Sequence, residues 1–374
     1  MSAPEFIPVN QVLLDGNEKK YLEQCIDSGW ISSEGPFVRR FEEQFAARMG
    51  RKYGVAVCNG SVALDAAVTA LGLAHGDEVI LPAFTIISCV AAVLRSGAIP
   101  VLVDSDPITW NMDANQVQRR VTPRTKAIML VHIFGLPVDL DPILNLAAER
   151  GLWVIEDAAE MHGQTYKGRP CGAFGEISTF SFYPNKHVTT GEGGMILTDV
   201  ESLAEKCRSL RNLCFQPKKR FVHEDLGWNF RMSNLQAALG VAQLERLDEF
   251  VARKRRMGEQ YSRLLAKIPG LQLPLPSTPY AESIYWVYGL LLGDEIGFDA
   301  EEAMRRLRDL AVDTRPFFWP MHQQPVLRRR GLFAGESYPV AERLARRGFY
   351  LPSGLGISEA QVSQVAESVR SVFA

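Results

Sequence analysis

Lys126-Ala-Ile-Met-Leu-Val131 and Leu152-Trp-Val-Ile-Glu156 are apolar runs that bracket a helical stretch, Leu140–Arg150. Neither run alternates apolar with polar residues. A strand that is apolar on both faces must be covered on both faces, and a mainly parallel sheet flanked by helices provides that cover. The same grammar extends outward. Tyr53-Gly-Val-Ala-Val-Cys58 leads into the helical Ser61–Leu73, Glu78-Val-Ile-Leu81 into Ile86–Arg95, and Ile99-Pro-Val-Leu-Val103 into Asp113–Val121. Downstream, Ser178–Tyr183 and Gly194–Thr198 are strand candidates on either side of a glycine-rich turn. Alternating strands and helices of this kind specify an α/β layer architecture.

After Asn234 the texture changes. Leu235–Met257 reads as one long amphipathic helix, followed by a proline-rich segment, a strand-like Tyr285–Leu292, a basic helix Ala300–Leu310 and a closing helix Glu359–Val372. We therefore expect a large domain over 1–240, with the N-terminal segment, and a smaller C-terminal α/β domain over 241–374. A length of 374 residues agrees with two domains at about 150 residues each.

The charge balance, 41 Lys+Arg against 43 Asp+Glu, lacks the basic footprint of a protein that works on nucleic acid or an anionic membrane. No apolar run approaches the ~20 residues that span a bilayer. The first residues, MSAPEFIPVNQ, lack the basic and apolar regions of a secretion signal. Six widely spaced cysteines without a CxxC pair read as reduced thiols. The expectation is a cytoplasmic enzyme.

Three constellations carry chemistry. Asn59-Gly60-Ser61 lies where a buried strand meets a helix; the free N–H groups of that helix end suit an anion such as phosphate. Read alone, the motif is better taken as an ordinary N-cap by Ser61. Glu156-Asp157 ends an apolar strand, where ligands gather in open parallel sheets. An acid there can hold a protonated ring nitrogen, bind a metal or cap the next turn; His162 is nearby in sequence, but no second ligand cluster appears. The third, Ser181-Phe-Tyr-Pro-Asn-Lys186-His187-Val-Thr-Thr-Gly191-Glu-Gly193-Gly194, places a lysine between a buried strand and a glycine turn. Such an amine can become a nucleophile if burial depresses its pKa, or it can be a solvated loop residue. The glycines open no helix, so they are no dinucleotide fingerprint.

These three segments, in this order, resemble the DegT/DnrJ/EryC1/StrS family of nucleotide-sugar aminotransferases, pyridoxal-phosphate (PLP) enzymes of fold type I. Further similar blocks run the length of the chain: Ser28–Gly35, Thr122–Met129, Glu156–Glu160, Thr189–Met195, Gly227–Asn234 and Arg315–His322. Within that family the blocks resemble the branch of GDP-perosamine synthases. The resemblance implies PLP as cofactor and Lys186 as its covalent partner and proton shuttle, with Asp157 paired to the pyridine nitrogen. It implies Glu160 on the ring hydroxyl, and Gly60, Ser61, the Val62 backbone and the Ser181 hydroxyl on the phosphate. Asn229, with Arg231, matches positions that reach the phosphate from a second subunit, so a homodimer with shared active sites is implied. Arg315 and His322, and Trp30, Ser32 and Ser33, fall in substrate-side segments.

One position departs from the family pattern. Where an aromatic residue (sometimes His) usually stacks on the PLP ring, this chain has Ile86, which leaves Phe84 or an aliphatic contact to serve. Related dehydratases carry His in place of the lysine; here His187 follows Lys186, and sliding the register breaks the spacing to Ser181 and Gly191. Transamination is therefore expected: L-glutamate as donor and a nucleotide-linked keto sugar as acceptor. The branch points to GDP-4-keto-6-deoxymannose giving GDP-perosamine, a sugar of lipopolysaccharide O-antigen and related polysaccharides. A UDP- or dTDP-linked 3- or 4-keto sugar, and a PLP-binding regulator without turnover, are the alternatives.

Overall fold

The computed structural model describes residues 5–216 and 218–373. Seven strands form the main sheet: β1 (Tyr53–Val57), β2 (Glu78–Pro82), β3 (Ile99–Val103), β4 (Thr125–Val131), β5 (Trp153–Asp157), β6 (Ile177–Ser181) and β7 (Gly194–Thr198). Their order is β1-β7-β6-β5-β4-β2-β3. All adjacent pairs are parallel except the two made by β7, which runs antiparallel to both β1 and β6. Doubly covered strands explain the continuous apolar runs. Ala127, Met129 and Val131 of β4 enter one core, while Ile128 and Leu130 enter the core on the opposite face. Helices Gly60–Ala70 and Ile87–Arg95 cover the first face; Pro36–Arg48, Leu140–Arg150 and Asn234–Leu244 cover the second.

A second sheet of four strands, β8 (Leu271–Gln272), β9 (Tyr288–Leu292), β10 (Arg315–Pro316) and β11 (Gly348–Leu351), has the order β8-β9-β11-β10 and is antiparallel throughout. Helices Ala300–Asp309 and Glu359–Val372 close its core. The N-terminal segment belongs to this smaller sheet: Ile7 pairs with Val312, and the Val9 carbonyl accepts from the Ser353 N–H. The expected boundary after residue 240 falls inside helix Asn234–Leu244.

Two expectations need correction. The single helix read over Leu235–Met257 is two, Asn234–Leu244 and Leu247–Leu265. Arg246 leaves helical geometry (φ −114°, ψ 13°) and its guanidinium binds Asp15 and Glu249. Both helices bury one face, so the hydrophobic period runs across the break and hides it. The N-cap of Gly60–Ala70 is Asn59, whose side chain accepts from the Val62 N–H at 3.0 Å, and not Ser61. Loss of a capping side chain costs about 1 kcal/mol. Asn59→Ala should lower unfolding stability in urea by that amount, while Ser61→Ala should lower it by no more than about 0.5 kcal/mol; equal losses would contradict the cap assignment.

Candidate active site

The carboxyl ends of β4, β5 and β6, the segments after β2 and before β7 and the turn after β1 meet at one edge of the main sheet. They line a cavity of about 790 Å³ that the smaller lobe closes with Trp286, Pro316, Phe318 and Tyr350. Strand register brings the chemistry together. Asp157 is the parallel partner of Thr179, and Ser181 lies two residues on, on the same face. Glu156 points the other way, where it takes the His132 ring at 3.0 Å and the N–H groups of Gly172 and Phe174. The Val138 N–H donates to His132 Nδ1, so Nε2 carries the proton given to Glu156. That network holds the β4–β5 edge in place.

Lys186 enters from a tight turn closed by its own N–H on the Tyr183 carbonyl. Its Nζ lies 3.7 Å from the centre of the Trp286 ring and 4.0 Å from Glu160 Oε1. Burial pushes the amine below its usual value, against the pull of Glu160 and Asp157. Burial also raises Asp157, whose Oδ1 accepts from the Ala159 N–H and Oδ2 from the Cys89 thiol. Glu160 is driven up to about 8 by burial, although it accepts from the Phe134 N–H at 2.6 Å.

The residues present fit PLP. Gly60 leaves room that a side chain would fill: a Cβ there would stand 2.7 Å from the Ser181 Cβ. The N–H groups of Gly60 and Ser61, with the Ser61 and Ser181 hydroxyls, form an anion cradle beside the helix end. The Val62 N–H, expected to join them, is already taken by Asn59. The Thr179 hydroxyl is buried on the cavity wall without a hydrogen-bond partner among the described residues, leaving a free polar group for a ligand.

Thus Gly60, Ser61, Val62, Ile86, Asp157, Glu160, Ser181 and Lys186 line one cavity. Others lie elsewhere. Phe84 is fully buried and packs against Phe134, Phe317 and Phe318, so it presents no face to a cofactor. His322 is buried against Glu342 and Tyr338, where it ties down helix Pro339–Arg347; it does not line the cavity. Arg315 lines an adjoining cavity of about 330 Å³ and is paired with Asp313. Trp30, Ser32 and Asn229 are exposed outside the cavity formed by their own chain. His187 turns to the Ile284 carbonyl, and His162 accepts from the Val188 N–H among phenylalanine rings, away from Asp157. Sequence reasoning missed Trp286, Tyr350, Asn185 and Thr179. Only Thr179 carried a signal, its two-residue spacing from Ser181.

Two outcomes follow from this geometry. Gly60→Ala should weaken retention of a phosphate-bearing ligand by about tenfold or more, because the added methyl must displace Ser181; equilibrium dialysis against PLP checks it, and unchanged retention contradicts the cradle. The folded Glu160 carboxyl keeps its proton to about pH 8, whereas an unfolded glutamate loses it near 4.5. The native state binds the extra proton between those values, so this group's contribution to stability falls as pH rises through the window. Glu160→Gln removes that fall. Urea midpoints of the cofactor-free proteins should show the variant gaining on the parent as pH rises from about 5 to about 8; a pH-independent difference would contradict the shift.

Comparison with known proteins agrees with the geometry. The DegT/DnrJ/EryC1/StrS aminotransferase family model matches residues 13–370. GDP-perosamine synthase of Caulobacter vibrioides is 42% identical over 361 residues, 96% of each chain, and that of Escherichia coli O157:H7 is 40% identical over 369 residues, 99% of each. Among solved structures, DesV of S. venezuelae superposes with a TM-score of 0.91 at 32% identity, over 98% of both chains. The chain belongs to the DegT/DnrJ/EryC1/StrS aminotransferase family and is a PLP-dependent aminotransferase.

Proposed function

We propose that this aminotransferase moves the amino group of L-glutamate to the keto carbon of a nucleotide sugar, with GDP-4-keto-6-deoxymannose as acceptor and GDP-perosamine as product. The observation that carries the reaction is the buried Lys186 amine facing Glu160 across a cavity that also holds Asp157 and the Gly60–Ser61 cradle. The acceptor rests on the 39–42% identity, over nearly the full chain, to three proteins named GDP-perosamine synthase.

PLP, when bound, supplies an electron sink conjugated to the amine-bearing carbon. The chain supplies the rest. Lys186 would hold the cofactor through Nζ, and the same buried amine, when free, would serve as the base that moves a proton at the amine-bearing carbon. Its lowered pKa keeps a larger share of the amine neutral and able to do so. Asp157 would pair with the pyridine nitrogen and keep it protonated, its carboxylate held in place by the Ala159 N–H on Oδ1 and the Cys89 thiol on Oδ2. The Glu160 carboxyl, which burial keeps protonated up to about pH 8, would donate to the phenolic oxygen of the ring. Gly60, Ser61 and Ser181 bind the phosphate. The aliphatic face of Ile86, on the cavity wall, replaces an aromatic stack.

Arg315 binds a carboxylate or phosphate of the substrates from the adjoining cavity, since a guanidinium fork matches either. Asn229 serves the phosphate of a second copy, and Trp30 and Ser32 serve its sugar side; all three are exposed in the single chain. The active unit is then a homodimer acting in the cytoplasm, where nucleotide sugars are made. No helix among the described residues is long and apolar enough to cross a membrane.

Lys186→Ala should abolish turnover by about a thousandfold or more while leaving a folded protein; retained turnover would remove the central assignment. Asn229→Ala should lose PLP on dilution. Mixed with Lys186→Ala chains it should regain about a quarter of the sites, because a two-fold dimer of the two variants rebuilds one complete pocket. No recovery would contradict sharing. GDP should raise the melting temperature and UDP or dTDP should not, since only a ligand that prefers the native state stabilises it; the reverse order would reassign the acceptor.

A further inference from the structure

The longest helix of the smaller lobe carries a buried cation that the reaction does not use. Lys254, within Leu247–Leu265, is 2% exposed. Its partners are main-chain carbonyl oxygens, Trp286 O at 2.7 Å and Ser353 O, rather than carboxylates. Desolvation drives the amine down to about 7, and the charge of Lys186 pushes the same way. An ammonium without a counter-ion is an expensive way to fill a core. Its geometry gives it a use.

Both carbonyls lead to the turn that presents Lys186. On one side, Trp286 supplies the ring face beneath the Lys186 amine, and its indole Nε1 donates to the Asn185 carbonyl at 2.8 Å. On the other, Ser353 donates its N–H to the Val9 carbonyl, and the next residue, Asn10, donates its amide to Pro184 O at 3.1 Å. Pro184 and Asn185 are the two residues before Lys186. The Trp286 arm is also strained and tightly seated. Tyr285 adopts φ +46°, a left-handed conformation unusual for a bulky residue. Gly135 packs so closely that a Cβ there would lie 2.6 Å from the Trp286 nitrogen, and Gly258, four residues from Lys254, makes room for the Tyr285 ring. A strained segment persists only when its surroundings over-determine it.

We propose that Lys254 is a positioning residue for Lys186, the N–H donors of its buried amine anchoring the two segments, Trp286 and Ser353–Val9–Asn10, that grip the Lys186 turn from both sides. This rests on the reading of Lys186 as the reactive amine. Displacement of a reacting group by about 1 Å costs on the order of a hundredfold in rate, so a loosened anchor is felt at the chemistry although Lys254 never touches substrate.

The test compares Lys254→Met, which keeps length but removes the donors, with Lys254→Gln, which keeps N–H donors without charge. In the purified holoenzyme, amide hydrogen exchange over 183–187 and 284–287 should accelerate about tenfold or more in the Met variant, with the main sheet still protected. The turnover number with glutamate should fall about tenfold or more while KM stays within about twofold, and the Gln variant should recover most of both. Unchanged exchange in the two segments, loosening spread evenly over both lobes, or a Gln variant as impaired as Met would overturn the proposal. If Lys254→Met does not accumulate as folded protein, Lys254→Asn, whose amide is too short to reach both carbonyls, takes its place: faster exchange at the two segments than in the Gln variant supports the anchor, and equal exchange contradicts it. The exchange readout is independent of catalysis, so a Lys186→Ala enzyme that kept its turnover would remove the catalytic reading without touching this one.

Discussion

Removal of water from a lysine amine is the constraint on which the site depends. Lys186 is held between an indole face and a carboxyl group, at 3.7 and 4.0 Å, in a cavity closed by both lobes. Desolvation works on three groups at once: it lowers the lysine and raises Asp157 and Glu160. Opposite charges in contact would normally favour full ionisation, and here burial outweighs that attraction. The lysine amine is therefore more readily neutral than a solvated one, as a group that takes a proton from carbon requires. Neither lobe achieves this alone. The main sheet brings both carboxyls and the lysine, while the smaller lobe brings Trp286 and Tyr350 to exclude solvent.

Much of this arrangement was legible in the chain. Apolar runs such as Lys126–Val131 can be buried only if both faces are covered, and the two cores on either side of β4 show that cover. Asp157 and Ser181 end strands, and Gly60 and Lys186 lie in the segments that follow strands, at the edge where parallel sheets expose their ligands; the resemblance, and not position alone, singled them out. Their convergence on one cavity follows from strand order, with β6 beside β5 and β7 between β6 and β1.

What escaped reading escaped for physical reasons. Phe84 follows a buried strand, as a stacking residue would, but whether a ring faces a cavity or a core depends on partners such as Phe317, more than two hundred residues away. His322 looks like a substrate ligand until Glu342 is folded against it. Asn59 and Ser61 are both good caps, and only the backbone at Gly60 decides between them. Trp286 lies a hundred residues from the amine it covers, in a segment whose left-handed Tyr285 interrupts the expected strand.

The most direct measurement is the visible absorption of the purified protein before and after addition of L-glutamate. An initial band from PLP bound to Lys186 should disappear with glutamate as the shorter-wavelength aminated cofactor forms, and should return when GDP-4-keto-6-deoxymannose is added. A band that persists unchanged in glutamate would contradict the amino-transfer chemistry assigned to this site.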